Sequence, residues 1–93
     1  MAASSGAAAL RQLTLLSRAY CHLCDDMRAA VAPLAERHRI GVVELDVDAD
    51  AGLEARYGER VPVLLLGAPA DGIELCHYTF DRARVERALT RAS

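Results

Sequence analysis

The spacing of apolar residues along the chain changes period several times, and each change predicts a new element. Leu13–Leu16 is a short, continuous apolar run, which suits a central strand covered on both faces. From His22 to about Arg39 the spacing becomes helical, with one apolar stripe formed by Leu23, Met27, Ala30, Val31, Leu34 and His38. Pro33 should kink this helix or end its first part, because proline has no N–H to donate. Gly41 is predicted to mark the end of the helix.

The middle of the chain predicts a second strand and a short helix. Val42–Val47 alternates in a way that is typical of a half-buried strand near an edge, with one face formed by Val43, Leu45 and Val47. Asp48 or Asp50 can then cap a short helix, which Gly58 ends.

The last third of the chain predicts a hairpin followed by a helix. Val63–Leu66 is the third strand, 67–72 is a hairpin loop, and Ile73–Tyr78 is the return strand. Asp81 is a good N-cap for a final helix. The inner stripe of that helix is formed by Val85, Ala88, Leu89 and Ala92.

The resulting order, β-α-β-α-β-β-α, predicts an α/β domain with a four-stranded mixed sheet and helices on both faces. A β-α-β start implies a parallel pair with a right-handed crossover, and the tight loop adds an antiparallel hairpin. Residues 1–11 are small and unpatterned, which is typical of a flexible N-terminal tail, and 12–93 form the domain. A chain of 93 residues leaves no room for a second domain.

Charge and composition reduce the number of partner classes that we expect for this protein. The formal net charge is −2, which offers no general attraction to nucleic acid or to an anionic membrane. No segment approaches the roughly 18 apolar residues that a membrane helix needs. The first basic residue is Arg11, so the start of the chain lacks the basic flank of a signal peptide. We therefore expect a cytoplasmic protein that acts as a monomer.

Cys21 and Cys24 carry the clearest chemistry, because a Cys-x-x-Cys pair in a reducing compartment is typically redox-active or metal-binding. The pair lies where the first strand passes into the first helix. Free N–H groups and the helix dipole stabilise a thiolate there, so Cys21 is predicted to be the nucleophile and Cys24 the resolving thiol of a reversible disulfide. His22 could add positive charge near the sulfur, whereas Asp25 and Asp26 oppose the thiolate.

A zinc site is the less favoured interpretation of the same cysteines. Structural zinc needs a second ligand pair. The only candidate is Cys76-His77, and neighbouring residues on a strand point to opposite faces. We expect no metal site, and we interpret Cys76 as a small, buried apolar residue that stays out of the disulfide. Arg84, Arg87 and Arg91 are interpreted as a solvated helix face.

Two stretches resemble the thioredoxin superfamily, and its glutaredoxin-like branch most closely. The stretch 17–24, Ser-Arg-Ala-Tyr-Cys-His-Leu-Cys, looks like the Ser-Lys-x-x-Cys-Pro-Tyr-Cys of glutaredoxins. Val61-Pro62-Val63, which opens the third strand, looks like their Thr-Val-Pro. The resemblance runs from about Leu13 to Leu89 and implies a thioredoxin fold. It also implies a cis Val61–Pro62 bond facing the cysteines, with the Val61 backbone offered to a substrate chain.

The same resemblance implies that Arg18 contacts a glutathione carboxylate, but the chain departs from the family pattern at three places. His-Leu stands between the cysteines, Arg60 stands where glutaredoxins usually have Thr, and 79–81, Thr-Phe-Asp, replaces their Gly-Gly. The Gly-Gly helps to bind the second glutathione carboxylate. We therefore expect glutathione to bind weakly, through Arg18 and the Val61 backbone alone.

The functional prediction is a thiol–disulfide oxidoreductase acting on a disulfide-containing protein or a glutathione mixed disulfide. No cofactor is required, and glutathione is a possible electron donor. Two alternatives stay open at this point: a glutathione-assisted iron–sulfur cluster carrier, and a non-catalytic interaction module that keeps the fold.

Overall fold

Four strands form one mixed sheet in the order β2-β1-β3-β4. In this computed structural model, which describes residues 12–92, the strands are β1 (Gln12–Ser17), β2 (Gly41–Asp46), β3 (Val63–Leu66) and β4 (Ile73–His77). β1 runs parallel to β2 and antiparallel to β3, and β3 runs antiparallel to β4. The tail predicted for residues 1–11 lies outside the described residues.

Three helices complete the domain. They are α1 (His22–Arg37), α2 (Ala51–Tyr57) and α3 (Arg82–Ala92), with short 3₁₀ turns at Val47–Ala49 and Gly58–Arg60. The predicted β-α-β-α-β-β-α order and the mixed four-stranded sheet are therefore confirmed. In residues 12–92 no helix is long and apolar enough to cross a membrane.

The two central strands supply both layers of the core, because alternate side chains point to opposite faces of the sheet. The larger cluster joins β1, β3 and β4 to α1 and α3, and includes Leu13, Leu15, Met27, Val31, Leu34, Leu64, Leu75, Val85 and Leu89. The smaller cluster, on the other face, includes Leu16, Val47, Tyr57, Val63 and Leu65. The side chains at 13–16 are fully buried, as expected for a central strand with helices on both faces.

The buried stripe of α1 differs from the predicted one. Its buried residues are Cys24, Met27, Val31, Leu34 and Ala35. Leu23, which was predicted to lead the stripe, is 45% exposed. The predicted and the observed stripe both fit the helical spacing of apolar residues. The structure buries the stripe that contains Cys24, in the first turn of the helix.

The end of α1 also corrects the sequence analysis. The helix continues through the exposed Pro33, so the alternative in which this proline ends it is wrong; buried residues on either side hold the helix against the sheet. Gly41 is not the stop but the first residue of β2. Instead, Arg39 takes the left-handed conformation at φ 55°, and its N–H bonds to the Glu36 carbonyl while that of Ile40 bonds to the Ala35 carbonyl. This is a Schellman ending in which an arginine replaces the usual glycine.

β2 is an edge strand, as predicted, but its burial does not alternate. Val43, expected on the inner face, is 40% exposed, and only Leu45 contacts the smaller core from within the strand. Val47 is fully buried but lies in the following 3₁₀ turn. The helices cover the centre of the sheet more completely than its edge, which leaves apolar side chains of β2 in contact with solvent.

Two predicted helix caps are present. The Asp50 carboxylate accepts the N–H groups of Gly52 and Leu53 at 2.9 and 3.1 Å, and Gly58 ends α2. At α3, the Asp81 carboxylate accepts the Arg84 N–H at 3.1 Å. The Asp50 cap fixes the start of α2, the helix that leads into the segment 58–62.

The strained end of α1 yields a stability prediction. Replacing Arg39 by glycine should raise the free energy of unfolding by about 0.5–1 kcal/mol, because relief of the left-handed backbone outweighs the extra freedom of the unfolded chain. Urea unfolding measures the change. Arg37→Gly, two residues earlier in helical backbone, is the matched control and should destabilise by about 1 kcal/mol. Equal destabilisation by both substitutions would contradict the ending described above.

Candidate active site

The central strand delivers the cysteine pair to the start of α1. β1 ends at Ser17, and Cys21 is the N-cap residue of α1, with extended backbone at φ −118° and ψ 107°. Its Sγ accepts a hydrogen bond from the backbone N–H of Cys24 at 3.1 Å. A sulfur therefore occupies the place where helices usually have a serine or aspartate oxygen.

Cys21 and Cys24 form a disulfide, with their Cα atoms 5.2 Å apart. Cys21 is partly exposed, whereas Cys24 is fully buried. The two cysteines thus differ in exposure, as predicted, and their roles as nucleophile and resolving thiol stay a prediction. His22, the predicted modulating residue, is the first residue of α1 and is exposed.

Val61 and Pro62 lie at the same end of the sheet as the cysteines. Leu16 pairs with Val63, so the residue before Val63 is placed beside the end of β1 from which the cysteine loop departs. The Val61–Pro62 bond is cis. Val61 is extended and partly buried against the smaller core, and the Pro62 carbonyl accepts the N–H of Tyr78 at 2.9 Å.

Arg18 points its guanidinium toward the α2 region. Nη2 and Nε donate to the two carboxylate oxygens of Asp48 at 3.0 and 3.3 Å, Nη2 also contacts the Glu54 carboxylate, and Nη1 donates to the Gly58 carbonyl at 3.3 Å. These carboxylates raise the pKa of Arg18, chiefly through the hydrogen bonds that Asp48 accepts from it. A ligand carboxylate at Arg18 would compete with contacts that the fold already supplies.

Comparison with known proteins now identifies the family. The profile of the glutaredoxin-like domain family (DUF836) matches residues 12–90. The chain belongs to this glutaredoxin-like family. An uncharacterised protein of Mycobacterium tuberculosis is 32% identical over 87 residues, which cover 88% of this chain and 86% of that protein.

Solved structures show the fold of the domain. A protein of Nitrosomonas europaea is 30% identical, with a TM-score of 0.71 over 82% of this chain and 87% of its own. A protein of X. campestris is 40% identical, with a TM-score of 0.63 over 87% and 99%. Thioredoxin 1 of Thermosipho africanus shares the fold at 17% identity, with a TM-score of 0.62 over 86% and 91%. The predicted thioredoxin fold is confirmed, and with the Cys21–Cys24 pair it supports a thiol redox function.

The sequence analysis did not predict the exposure of three apolar side chains next to the cysteines or the proline segment. Tyr20 precedes Cys21 and is fully exposed, Leu23 lies between the cysteines, and Tyr78 follows β4. Tyr78 is tied to the proline segment through its N–H and through its hydroxyl, which donates to the Glu59 carbonyl at 2.8 Å. The helical period hid Leu23, because either phase of α1 is apolar, and isolated tyrosines carry no signal of their own.

A polar network lies between the first turn of α1 and the edge strand β2. Ser17 Oγ donates to the Glu44 carboxylate at 2.8 Å, and Arg28 Nε donates to the same carboxylate at 2.7 Å. Arg28 also bonds to Asp25 at 2.7 Å, which leaves Asp25 paired on its own helix. The hydrogen bond from Arg28 holds the pKa of Glu44 below its ordinary value, against a smaller opposing effect of burial.

Cys76 is a free, partly buried thiol on β4. Burial is the main reason that its pKa is raised. The neighbouring His77 Nδ1 contacts the Glu74 carboxylate at 2.9 Å. Within residues 12–92, no three histidine, cysteine or acidic side chains are grouped to hold a metal ion.

The three arginines interpreted as a solvated face line a groove of about 400 Å³ between β4 and α3. Its floor is apolar, formed by Leu66, Ile73, Leu75 and Ala88. The groove reaches the ends of β3 and β4 that lie away from the cysteines.

The Glu44 network predicts an acid-dependent loss of stability. A carboxyl with a lowered folded pKa stabilises the native state fully above its unfolded pKa, roughly 4.3, and this contribution is lost as the pH falls through the folded pKa. Glu44→Gln should therefore lose less stability than the wild type between about pH 5.5 and pH 3.5. Urea unfolding at both pH values measures this, with Glu36→Gln on the exposed face of α1 as the charge control. Parallel losses in wild type and Glu44→Gln would contradict the network's role.

Counting the reactive thiols tests which two of the three cysteines form the disulfide. After mild oxidation, alkylation and intact-mass measurement should find one reactive thiol, at Cys76, because the other two sulfurs are bonded to each other. Its alkylation at neutral pH should be slow, since burial raises its pKa. Three alkylated cysteines in the oxidised protein would refute the pairing.

Proposed function

We propose that this protein is a thiol–disulfide oxidoreductase in which Cys21 is the nucleophile and Cys24 the resolving thiol. One observation carries the proposal: Cys21 caps α1 with its sulfur, partly exposed, while its disulfide partner Cys24 is fully buried one turn below. A thiolate at a helix N-terminus is stabilised by the free N–H groups and the helix dipole.

The reaction is two successive thiol–disulfide exchanges. The Cys21 thiolate attacks one sulfur of the substrate disulfide, and the other substrate sulfur leaves as a thiolate. Deprotonated Cys24 then attacks Cys21 in the mixed disulfide, which releases the second substrate thiolate and leaves the Cys21–Cys24 disulfide. Two electrons have passed from the protein to the substrate, and two protons complete the substrate thiols.

A further turnover needs an external two-electron thiol donor, for which glutathione or a reductase is proposed. No cofactor is needed for the exchange itself. The substrate is proposed to be a disulfide-containing protein or a glutathione mixed disulfide, held beside Cys21 by the extended backbone of Val61. The protein is proposed to act as a monomer, because both sulfurs of the exchange lie on one chain.

Reduction of insulin by dithiothreitol, with and without the protein, tests the proposal. The wild type should accelerate the reduction, and Cys21→Ser should return the rate to that of dithiothreitol alone. Cys24→Ser should accumulate a mixed disulfide at Cys21, detected as an adduct by intact mass, because the resolving thiol is missing. Cys76→Ser is the matched control and should keep the wild-type rate.

Two results would overturn the proposal. The first is no acceleration by the folded wild-type protein, with folding checked by circular dichroism. The second is an adduct on Cys76 rather than on Cys21 in the Cys24→Ser variant.

A further inference from the structure

Three large apolar side chains are exposed next to the cysteines in the chain or next to the proline segment. Tyr20 is 105% exposed, Leu23 45% and Tyr78 46%. Tyr20 and Leu23 flank Cys21 in the chain, and Tyr78 is bonded to the segment that ends in Pro62. Exposed apolar patches of this kind mark surfaces that contact a partner.

Both tyrosines also have left-handed backbone, with φ 58° at Tyr20 and 63° at Tyr78. Bulky residues adopt this conformation at a cost in strain, and a turn that only required positive φ would be better served by glycine or asparagine. Tyr20 buries none of its side chain in return. Strained, exposed aromatic residues beside a reactive group indicate that the side chains serve an interaction.

The two arginines that flank the cysteine loop and the proline segment are already paired with carboxylates. Arg60, which precedes Val61, pairs with Glu74 at 3.2 Å. The Arg18 guanidinium is shared by Asp48, Glu54 and the Gly58 carbonyl. Its charge is matched by two carboxylates, so it adds little positive potential for an incoming anion. It ties the loop before Cys21 to α2 and is therefore a positioning residue.

Other charges near the cysteines oppose an anion as well. Asp25 and Asp26 lie exposed in the first turns of α1, and only Asp25 is paired with Arg28. At the start of α3, the exposed Asp81 carboxylate caps the helix and accepts the Arg84 N–H. These carboxylates add negative charge, which disfavours an anionic ligand.

We infer that the substrates of this site are protein disulfides flanked by apolar side chains, and that glutathione disulfide is a poor substrate. The inference rests on the proposed exchange reaction and specifies its substrate class. Tyr20, Leu23 and Tyr78 would receive the apolar side chains on either side of the substrate disulfide. Glutathione carries a net negative charge and no large apolar side chain, so it gains nothing from this surface and is repelled by the carboxylates.

Single-turnover rates with pre-reduced protein test the inference, because no electron donor is then needed. The protein's dithiol is oxidised to Cys21–Cys24 as each probe disulfide is reduced to two thiols. The probes are glutathione disulfide and a neutral peptide dimer whose single disulfide is flanked by Phe and Leu. The peptide should react about tenfold faster, or more, than glutathione disulfide. Higher salt should speed the glutathione reaction by screening repulsion and leave the peptide reaction unchanged.

Variants separate the effect of the apolar side chains on the two rates from the effect of the charges. Tyr20→Ser combined with Tyr78→Ser should slow the peptide reaction about tenfold and leave the glutathione rate within about twofold. Ile73→Ser, which removes an apolar side chain that is 55% exposed on β4 away from the cysteines, is the matched control and should change neither rate. Asp48→Asn combined with Glu54→Gln frees Arg18 and should raise the glutathione rate several-fold relative to the peptide rate.

The outcomes distinguish this inference from the reaction on which it rests. Reaction with neither probe would refute the exchange reaction itself. A wild-type rate with glutathione disulfide equal to or above that with the peptide would overturn only the substrate class. The substrate class would also be overturned if the tyrosine variant slowed the reactions of both probes equally, or if freeing Arg18 did not raise the glutathione rate relative to the peptide rate.

Discussion

The hydrogen bond from the Cys24 N–H to the Cys21 sulfur is the interaction on which the site depends. It closes the first turn of α1 on a sulfur atom, and it fixes one thiol at the dipole's positive end while the next turn buries the other. If a serine capped this helix, the fold would keep its shape and lose its chemistry.

The capping geometry requires a rigid support, and the central strand provides it. Leu13–Leu16 is buried on both faces, and it pairs with β2 on one side and with β3 on the other. The pairing with β3 also sets where Val61 and Pro62 lie, because Leu16 is opposite Val63. One strand therefore places both halves of the site, the sulfurs and the proline segment, although 40 residues of sequence separate Cys21 from Val61.

The sequence was sufficient to predict the elements whose signals are local. Apolar runs marked the two central strands, and Asp50, Gly58 and Asp81 cap or end helices as their residue types predict. The sequence did not predict the structure correctly where two interpretations fitted the local pattern equally well. The phase of α1 could bury Leu23 or Cys24, and only packing against the sheet decides between them. The end of α1 used an arginine at positive φ, for which residue type gives no signal.

The chemistry of the cysteines followed from their spacing, whereas the partners of Arg18 did not. Asp48 and Glu54 lie 30 and 36 residues further along the chain and approach Arg18 only through the tertiary fold. A motif resemblance predicts which residue type stands at a position, but it does not show which charges the rest of the chain brings to it. The resemblance predicted that Arg18 contacts glutathione. In the structure, Arg18 contacts Asp48 and Glu54 and so links the loop before Cys21 to α2.

The central claim is that helix capping makes Cys21 the accessible, reactive thiol and Cys24 the protected one. Pulsed alkylation of the fully reduced protein with iodoacetamide at neutral pH, mapped by peptide mass, measures the rate at each cysteine. The account predicts that Cys21 is modified at least about tenfold faster than Cys24. Modification of Cys24 as fast as Cys21, in protein that remains folded, would contradict it.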